Sequence, residues 1–591
     1  MSRFGPILKA VGEFGLFQKL IVIAICIPGI FSPFDTISQV FIGKSFPHHC
    51  NTDWILQHGP NLTEEEQKNL TLPVNEDGNF ESCKMFTPVD WNLETIERFG
   101  INSTTGCTDG WDYEAPKGGS SMLTEFDLVC DKSSFIEVSQ SIYMAGIFFG
   151  VLLFGTISDR FGRRCGILLS LLLQVLFGVA VAFSPNVYVY IVLKFFCGFS
   201  SSAIMIMLSV LAIEWTVPSR AATCTALLMT FYSVGLLVLS GIAYSIRNWR
   251  IMQLVLFSPL VLVLGVFYCF LPESARWLIT QGRKEEALKV LQRAAQVNGR
   301  TMPEDLLDKL EMEDSIKRRN ILDIFRIPYL RKRTVIMSCI WFASSLLYYG
   351  LGLNVGSFGV NIYLTQFVFG VVEFPANFTG WVLIQRLGRR LSQAGFLIFG
   401  GVTCLIILAI PKNLPVVITT IAVLGNFGST ASFNIAYVYS AELYPTVVRN
   451  NGVGLNSMCA RVAGVLAPLV RLLDVFHDTI PMLVYGIIPI VAGGLCLLLP
   501  ETLNVELEDH AEMNPPGEKC RDPMKDPMKA KYFELLFGVY AQTIVFPPTA
   551  LRRREATLSS TGVNSNTAAL SRGLMSIPTP TLCITPDATP E

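Results

Sequence analysis

Arg461 is the residue in this sequence whose chemistry most needs an explanation. It lies in an almost uninterrupted apolar stretch, 431–470, which reads ASFNIAYVYSAELYPTVVRNNGVGLNSMCARVAGVLAPLV. A guanidinium stays charged at physiological pH, and its planar fork of donors suits a carboxylate or carbonyl ligand. The nearest carboxylates along the chain, Glu442 and Asp474, lie several helical turns away. The charge must therefore be compensated by another helix, by water or by a bound solute.

Motifs that would indicate an enzyme fail at positions that their chemistry requires. FIGKS (41–45) is similar to a phosphate-binding loop, but Ser38 stands where the upstream glycine is needed. GFSSS (198–202) lacks the closing glycine of a nucleophile elbow. The chain has five histidines and no H-E-x-x-H motif, so we predict no metal site and no cofactor. ATP-driven pumping and hydrolysis are both disfavoured, and the protein is predicted not to be an enzyme.

The composition places this arginine in a membrane protein. The 591 residues are 51% hydrophobic and 16% charged, with a mean hydropathy of +0.46, whereas soluble domains carry about 25% charged residues. The formal net charge of −1 leaves no basic excess for nucleic acid, which is therefore not a predicted partner. The predicted surroundings are the lipid bilayer.

Apolar runs long enough to cross about 30 Å of hydrocarbon recur along the chain. We predict twelve membrane-spanning helices, at approximately 18–42, 138–157, 166–184, 187–212, 221–244, 251–271, 334–354, 360–384, 392–411, 414–440, 450–472 and 480–499. The first run is long and has no small-residue cleavage site before the next polar segment, so it is a retained helix rather than a signal peptide.

Lysine and arginine are unevenly distributed between the segments that join these spans. Residues 272–333 hold fourteen of them, whereas residues 44–133 hold six. Cytosolic loops carry the excess of basic residues. We therefore predict that 272–333 and both chain ends are cytosolic, and that 44–133 faces the outside or a lumen.

The chemistry of the outer segment agrees with this orientation. Its three sequons and four cysteines are Asn61, Asn69, Asn102, Cys50, Cys83, Cys107 and Cys130. Sequon asparagines are glycan acceptors in secretory compartments, and four cysteines suit an oxidising environment, where three disulfide pairings are open. Asn377 also begins a sequon, but it lies within a predicted span, so no glycan is expected there.

Three motifs repeat in the same order along the chain. GTISDRFGRR (155–164) matches LIQRLGRR (383–390), with 226 residues between their aligned glycines. EWTVPSR (214–220) matches ELYPTVVR (442–449), and PESARW (272–277) matches PET (500–502), in each case 228 residues later. A constant offset predicts two six-helix halves, joined by a basic loop in which GRKEEALKVLQRAAQ has the pattern of an amphipathic helix.

The repeated motifs place charged residues at the cytosolic ends of the spans. They are Asp159, Arg160, Arg163, Glu214, Arg220, Glu273, Arg276, Arg386, Arg389, Glu442, Arg449 and Glu501. We predict that these charges form a gate, pairing between the halves when the cytosolic side is closed and parting when the halves rock. The alternative is that the arginines only hold the positive-inside orientation.

These motifs resemble the major facilitator superfamily, and the large outer loop with its cysteines and sequons is similar to that of solute carrier family 22. The resemblance covers about residues 10–510. It implies an all-α membrane protein with the major facilitator fold, twelve transmembrane helices in two six-helix halves, and a large extracellular loop between helices 1 and 2. It further implies a secondary-active or facilitative carrier that works by alternating access as a monomeric transport unit.

The context ARVAGVLAP resembles the organic anion branch of that family, where an arginine stands at this place in span 11. The resemblance implies a small organic solute as partner, with a counter-anion or coupling ion. The expected solutes are organic anions or weakly acidic or aromatic vitamins similar to nicotinate, urate or riboflavin. The alternatives are an organic cation or zwitterion carrier, and a receptor or scaffold that keeps the fold without transporting.

The candidate substrate-binding residues follow from the predicted spans and from this resemblance. They are Arg461, Tyr232, Trp341, Tyr348, Tyr349, Phe433, Asn434, Asn377 and Asp35. Two of them depart from the anion pattern: Asn377 stands where anion carriers have a second basic residue, and Asp35 could offset the charge of Arg461 across the cavity. The competing interpretations are a structural salt bridge for Arg461, packing for the aromatic residues, and a water-exposed outer helix end for Asp35.

The chain divides into five predicted segments. They are a cytosolic N-terminus (1–17), an N-terminal six-helix half (18–271) that includes the extracellular loop (43–137), a cytosolic loop with amphipathic helices (272–333), a C-terminal six-helix half (334–500), and a cytosolic tail (501–591). The tail is rich in Ser, Thr, Pro and Asn and is predicted to be largely disordered. The plasma membrane is the expected location, with an intracellular membrane, including the mitochondrial one, as the alternative.

Overall fold

The computed structural model of the protein describes residues 4–75, 78–116, 118–301, 321–445 and 448–503. The tail beyond residue 503, which is predicted to be largely disordered, lies outside this description. The middle of the cytosolic loop, 302–320, lies outside it as well.

The chain begins with short helices and a small outer segment that also contains strands. These elements are α1 Phe4–Val11, α2 Leu16–Ile37, α3 Gln39–Ile42, β1 His48–Cys50, α4 Glu64–Thr71, β2 Met85–Phe86, α5 Leu93–Phe99, β3 Thr104–Thr105, β4 Trp111–Tyr113 and α6 Met122–Glu125. Strand β1 pairs antiparallel with β4, and β2 with β3.

Long helices follow in both halves. Those up to the cytosolic loop are α7 Phe135–Phe161, α8 Arg163–Val181, α9 Val187–Trp215, α10 Pro218–Ser245, α11 Trp249–Phe257 and α12 Leu260–Phe270. The loop contains α13 Ala275–Thr280, α14 Lys284–Val297 and α15 Ile321–Arg326. The remaining helices are α16 Pro328–Leu353, α17 Ile362–Arg386, α18 Arg389–Ala409, α19 Pro415–Leu443, α20 Arg449–Arg471 and α21 Ile480–Cys496.

Every one of the twelve predicted spans overlaps a helix. Ten helical segments in the described residues are long and apolar enough to cross a membrane. The other two predicted spans fall on α20, which carries three arginines, and on α21, which has 17 residues. The sixth span is divided at Ser258 and Pro259, because proline has no N–H to continue a helical hydrogen-bond ladder.

Two glycines make the tight turns that begin the third and ninth spans. Gly162 has φ +105° and Gly388 has φ +93°, in the region that L side chains rarely adopt. After the first turn, the Glu273 carboxylate accepts hydrogen bonds from the backbone N–H groups of Arg163 and Arg164, at 2.9 and 3.2 Å. A carboxylate there satisfies free N–H groups and complements the positive end of the helix dipole of α8.

The second half repeats this arrangement with Glu501. Its carboxylate accepts from the N–H groups of Arg389 and Arg390, at 2.8 and 3.1 Å. The repeated PES and PET motifs are therefore the caps of two equivalent helices. Burial raises the pKa of Glu273, although the backbone hydrogen bonds that it accepts oppose this shift.

The outer segment is held together by two disulfides, Cys50–Cys107 and Cys83–Cys130. The first joins the end of β1 to the stretch just before β4, so that the disulfide and the strand pairing support each other. His48 lies beside the second disulfide, whose sulfurs are not free to bind a metal ion.

The three outer sequons provide a test of topology. Asn61, Asn69 and Asn102 are all exposed, whereas Asn377 lies within α17 and hydrogen-bonds with Asn434. We expect single Asn→Gln changes at the outer sites to remove one glycan each wherever that site is used, visible as a mobility shift that enzymatic deglycosylation abolishes. Asn377→Gln is the matched control and should leave the mobility unchanged; a glycan at Asn377 would contradict the assigned spans.

The two halves meet along two helix pairs. Helix α7 packs along α20, and α10 packs along α17. Each pair takes one helix from each half, so side chains on these four helices can respond to a movement of one half against the other.

Candidate substrate site between the two halves

Arg461 lies on α20, and its recorded hydrogen bonds go to its own helix. Its Nη1 donates to the Ser457 backbone oxygen, at 2.8 Å, and to the Ser457 hydroxyl, both on its own helix. Its Nε is buried without a recorded hydrogen-bond partner, and among the residues that the structure describes no carboxylate lies within ion-pair distance of it. Tyr349 and Tyr437 are the titratable groups that interact with it electrostatically. The guanidinium therefore retains hydrogen-bonding capacity for a ligand.

Aromatic rings form a continuous cluster beside this arginine. The ring centroids of Trp341 and Tyr437 are 4.3 Å apart, and those of Phe433 and Tyr437 are 5.6 Å apart. Tyr348 extends the cluster, at 6.3 Å from Phe433 and 5.4 Å from Tyr349. Trp341 is buried, and its indole N–H donates to Ser440 Oγ at 2.7 Å, so it packs behind the half-buried rings.

The structure brings the two candidate asparagines together. Asn434 donates from Nδ2 to Asn377 Oδ1, which joins α19 to α17, and to the Thr430 backbone oxygen at 3.2 Å. Asn377, which replaces the second cation expected in an anion carrier, is thus engaged by a neutral amide partner. Tyr232 on α10 interacts electrostatically with Tyr348, so one candidate from the first half lies near one from the second.

Glu373 is a central residue that was not among the sequence candidates. It lies on α17 with 3% exposure. Its Oε1 accepts from the Tyr348 hydroxyl at 2.8 Å, and its Oε2 accepts from Ser233 Oγ at 2.7 Å. Because Ser233 is on α10, this carboxyl group ties the two halves together. Glu373 could have been predicted from the sequence, since an acidic residue inside the predicted span 360–384 carries the same cost of membrane insertion that singled out Arg461.

Asp35 is fully buried within the first half, so the alternative interpretation of a water-exposed helix end is wrong. Neither carboxylate oxygen has a recorded hydrogen-bond partner. Its electrostatic partner is Lys194 on α9, a buried cation in the predicted span 187–212 that was not among the predicted site residues. Lys194 Nζ lies 5.5 Å from the centroid of the Tyr143 ring. The structure thus associates Asp35 with Lys194 rather than with Arg461.

Three contacts between the outer helix ends cross from one half to the other. Arg471 on α20 forms an ion pair with Glu137 on α7, with 3.6 Å between Nε and Oε1. The Tyr363 ring of α17 stacks on Phe41 of α3, at 5.4 Å, and meets the Tyr244 ring of α10 edge-on, at 5.9 Å. These contacts close the outer side over the cluster around Arg461.

The recorded ion pairs at the cytosolic ends, in contrast, lie within each half. Arg163 pairs with Asp159 at 2.7 Å and with Glu214 at 3.1 Å, all in the first half. Arg389 pairs with Glu442 at 2.8 Å, both in the second half. The predicted pairing across the halves is therefore not seen in this conformation among the described residues, because each half supplies its own carboxylates next to its own arginines.

The remaining cytosolic candidates have local or solvent-facing environments. Arg160 lies over the ring of its neighbour Phe161, at 5.5 Å. Arg449 donates to the Tyr444 backbone oxygen at 3.3 Å. Three further arginines are exposed, at positions Arg220, Arg276 and Arg386. Whether any of these charges gates transport stays a prediction.

The two carboxylates that hold Arg163 differ in burial, which allows a graded test. The Asp159 side chain is 73% exposed and that of Glu214 is 12% exposed. We expect Asp159→Asn to slow initial uptake by about fivefold at most, since exposed pairs contribute about 0–1 kcal/mol. Glu214→Gln should slow it more, because it leaves a half-buried guanidinium without its second partner. Uptake normalised to surface protein measures both; equal effects, or none, would show that the motif does not gate.

Comparisons with known proteins agree with the fold. The family model described as sugar (and other) transporter matches residues 93–513. The inward open conformation of the xylose transporter XylE from E. coli aligns with a TM-score of 0.54 and 15% identity, over 83% of this chain and 98% of that one. The proton:xylose symporter XylE bound to 6-bromo-6-deoxy-D-glucose gives 0.53 and 16%, over 83% and 98%. The predicted major facilitator fold is confirmed.

Relatives at higher identity cover nearly the whole chain. Human solute carrier family 22 member 13 is 42% identical over 529 residues, which is 89% of this chain and 96% of the relative. Human solute carrier family 22 member 14 is 36% identical, over 90% and 91%. Organic anion transporter 3 of Oryctolagus cuniculus is 35% identical, over 86% and 93%.

Proposed function

Since this chain belongs to solute carrier family 22 and is a multi-pass membrane transporter with the major facilitator fold, we propose that it carries small organic anions by alternating access. The proposed solute is a carboxylate or other weak acid on a flat aromatic body, such as nicotinate, urate or a riboflavin-like vitamin. The transport unit is a monomer at the plasma membrane, coupled to a counter-anion or another ion.

The observation that carries this proposal is the state of Arg461. A charge within the bilayer region is costly unless it faces a protein interior, a wet cavity or a ligand. Ser457 occupies one of its nitrogens, and no described carboxylate neutralises it. An anionic solute would supply the missing charge through charge-assisted hydrogen bonds, which are about twice as strong as neutral ones.

The rings beside Arg461 support an aromatic solute. Phe433, Tyr437, Tyr348 and Tyr349 are each only partly buried, and they form one connected set of ring contacts. Offset-stacked and edge-to-face contacts with such rings contribute about 0.5–1.5 kcal/mol per pair beyond area burial. One relative, organic anion transporter 3, bears a name that agrees with the anionic class.

A second candidate is a zwitterion carrier, and Glu373 favours it. This buried carboxylate reaches the same tyrosine pair, Tyr348 and Tyr349, that lies beside Arg461. A solute with both a carboxylate and an ammonium group could interact with Arg461 through the first and with Glu373 through the second. We rank it second because both oxygens of Glu373 already accept hydrogen bonds from the protein.

The test compares three solutes that share one ring. Nicotinate carries a carboxylate, nicotinamide a neutral amide, and 1-methylnicotinamide a fixed cation. In cells that express the full chain, we expect saturable uptake of labelled nicotinate above that of the other two, with urate and riboflavin assayed alongside. Preferred uptake of 1-methylnicotinamide would contradict the anion proposal. No uptake of any solute by protein that reaches the surface would favour the receptor or scaffold alternative.

A further inference from the structure

A cavity lies at the outer ends of the helices, and Arg461 is not among its lining residues. It has a volume of about 390 Å³, within the range of about 300–1,000 Å³ typical of small-molecule sites. Its walls come from both halves, namely the end of α3 and the start of α7 on one side and the ends of α16, α17 and α20 on the other. It is on the same side of the molecule as the disulfide-bonded segment, since α3 leads directly into that segment.

Lys44 is a cation in this wall that pairs with no acidic residue in the described part of the chain. Its Nζ lies 5.1 Å from the centroid of the Phe46 ring and 5.2 Å from that of Tyr363, and no described carboxylate lies within ion-pair distance. Partial burial and the nearby Arg247 lower the pKa of Lys44. The charge of Lys44 therefore lies between two aromatic faces. An anion placed beside Lys44 would interact favourably with this charge.

The charges around the cavity are positive overall. Arg471 lines it together with Lys44, and Glu137 is the one carboxylate that we find among its lining residues in the described part of the chain. Glu137 is already engaged by Arg471. In the next layer, Arg247 acts on Lys44 and Asp474 acts on Glu137, so that three cations face two carboxylates.

The remaining walls suit an aromatic body. Tyr349 and Tyr363 present rings to the cavity, and the Oε1 atom of Gln140 is buried without a recorded partner at the same wall. Tyr349 also interacts with Arg461. Tyr349 therefore belongs both to the lining of the outer cavity and to the ring cluster around Arg461, although Arg461 itself does not line the cavity.

We propose that this outer cavity is a separate binding site for aromatic carboxylates, in which Lys44 and Arg471 receive the carboxylate and Tyr349 and Tyr363 contact the ring. Solute held there lies next to the central site when the outer contacts between the halves open. The inference rests on the proposed function for the class of solute, but its own evidence is the cavity, and binding there is measurable without transport.

The experiment follows the reactivity of Lys44 in the full chain, purified into lipid nanodiscs. An amine-reactive acylating reagent is added with or without nicotinate, and modification of each lysine is read by peptide mass spectrometry. We expect nicotinate, and not nicotinamide, to slow modification of Lys44. The internal control is Lys412, an exposed lysine in the outer loop between α18 and α19. It pairs with Asp478 and should be unaffected.

Two variants separate this site from the central one. In Arg461→Ala, protection of Lys44 should remain, whatever happens to uptake. In Arg471→Gln, the nicotinate concentration that gives half-protection should rise about tenfold, the loss expected for one charge-assisted contact. Equal protection of Lys44 and Lys412, no protection of Lys44, or protection that disappears in Arg461→Ala would each overturn the inference. Normal uptake by Arg461→Ala with protection intact would instead contradict the central-site proposal alone.

Discussion

Arg461→Ala is expected to raise the apparent KM for an anionic solute by roughly ten- to a hundredfold, the equivalent of about 1.5–3 kcal/mol for a hydrogen bond to a charged group. The reason is that the guanidinium has spare donors and no described carboxylate partner, so the solute provides its counter-charge. The measurement is concentration-dependent uptake, normalised to the protein at the surface.

Two further variants calibrate that result. Arg461→Lys keeps the charge but loses the planar fork, so partial recovery is expected. Ser457→Ala removes the hydroxyl acceptor of Arg461 but keeps the Ser457 backbone oxygen, and should change KM much less. Because Asp35 lies with Lys194, Asp35→Asn should not rescue an Arg461 variant. Normal uptake and normal expression of Arg461→Ala would exclude both a substrate role and a structural role for this residue.

Glu373→Ala should have the second large effect, on the equilibrium between conformations. The change leaves the hydroxyls of Ser233 and Tyr348 without their acceptor, and loss of a hydrogen bond to a charged group costs about 1.5–3 kcal/mol. In the unmodified protein, the hydrogen bond between Glu373 and Ser233 joins the two halves while the outer side is closed. We therefore expect the outer side to open roughly ten- to a hundredfold more often, with faster acylation of Lys44 and slower net uptake.

Single-bond variants show which contact matters. Ser233→Ala removes the bond between α10 and α17 and should reproduce the faster acylation of Lys44. Tyr348→Phe removes a bond between α16 and α17, both in the second half, and should change acylation much less. If the two variants behave alike, or if Glu373→Ala leaves acylation unchanged, then Glu373 stabilises its own half and does not link the halves.

The spans were predictable because hydrocarbon thickness and helix rise leave little freedom in the length of an apolar run. The duplication was predictable for a related reason: Gly162 and Gly388 make turns that other residues adopt with strain, so the motif is visible in both halves. Arg461 and Glu373 gave equally strong signals as charges within spans. Only Arg461 was predicted as a binding residue, because the resemblance to the organic anion branch concerns its sequence context, ARVAGVLAP.

Pairings could not be predicted in the same way. Four outer cysteines allow three connectivities, and only the fold selects Cys50 with Cys107. Asp35 and Lys194 lie 159 positions apart, so that nothing local links them. The gating charges were assigned partners across the halves, whereas the structure satisfies Arg163 and Arg389 at shorter range, with carboxylates of their own halves.

The self-contained cap of α8 has a consequence for biosynthesis. Arg163, Glu214 and Glu273 have all been synthesised before the second half begins, so the ionic cluster of the first half needs no residue that is still to be translated. About 230 residues separate Glu273 from the end of the described chain at 503, and at roughly 5–20 residues per second their synthesis takes on the order of tens of seconds. During that interval the first six helices can complete their packing in the membrane as an independent folding unit.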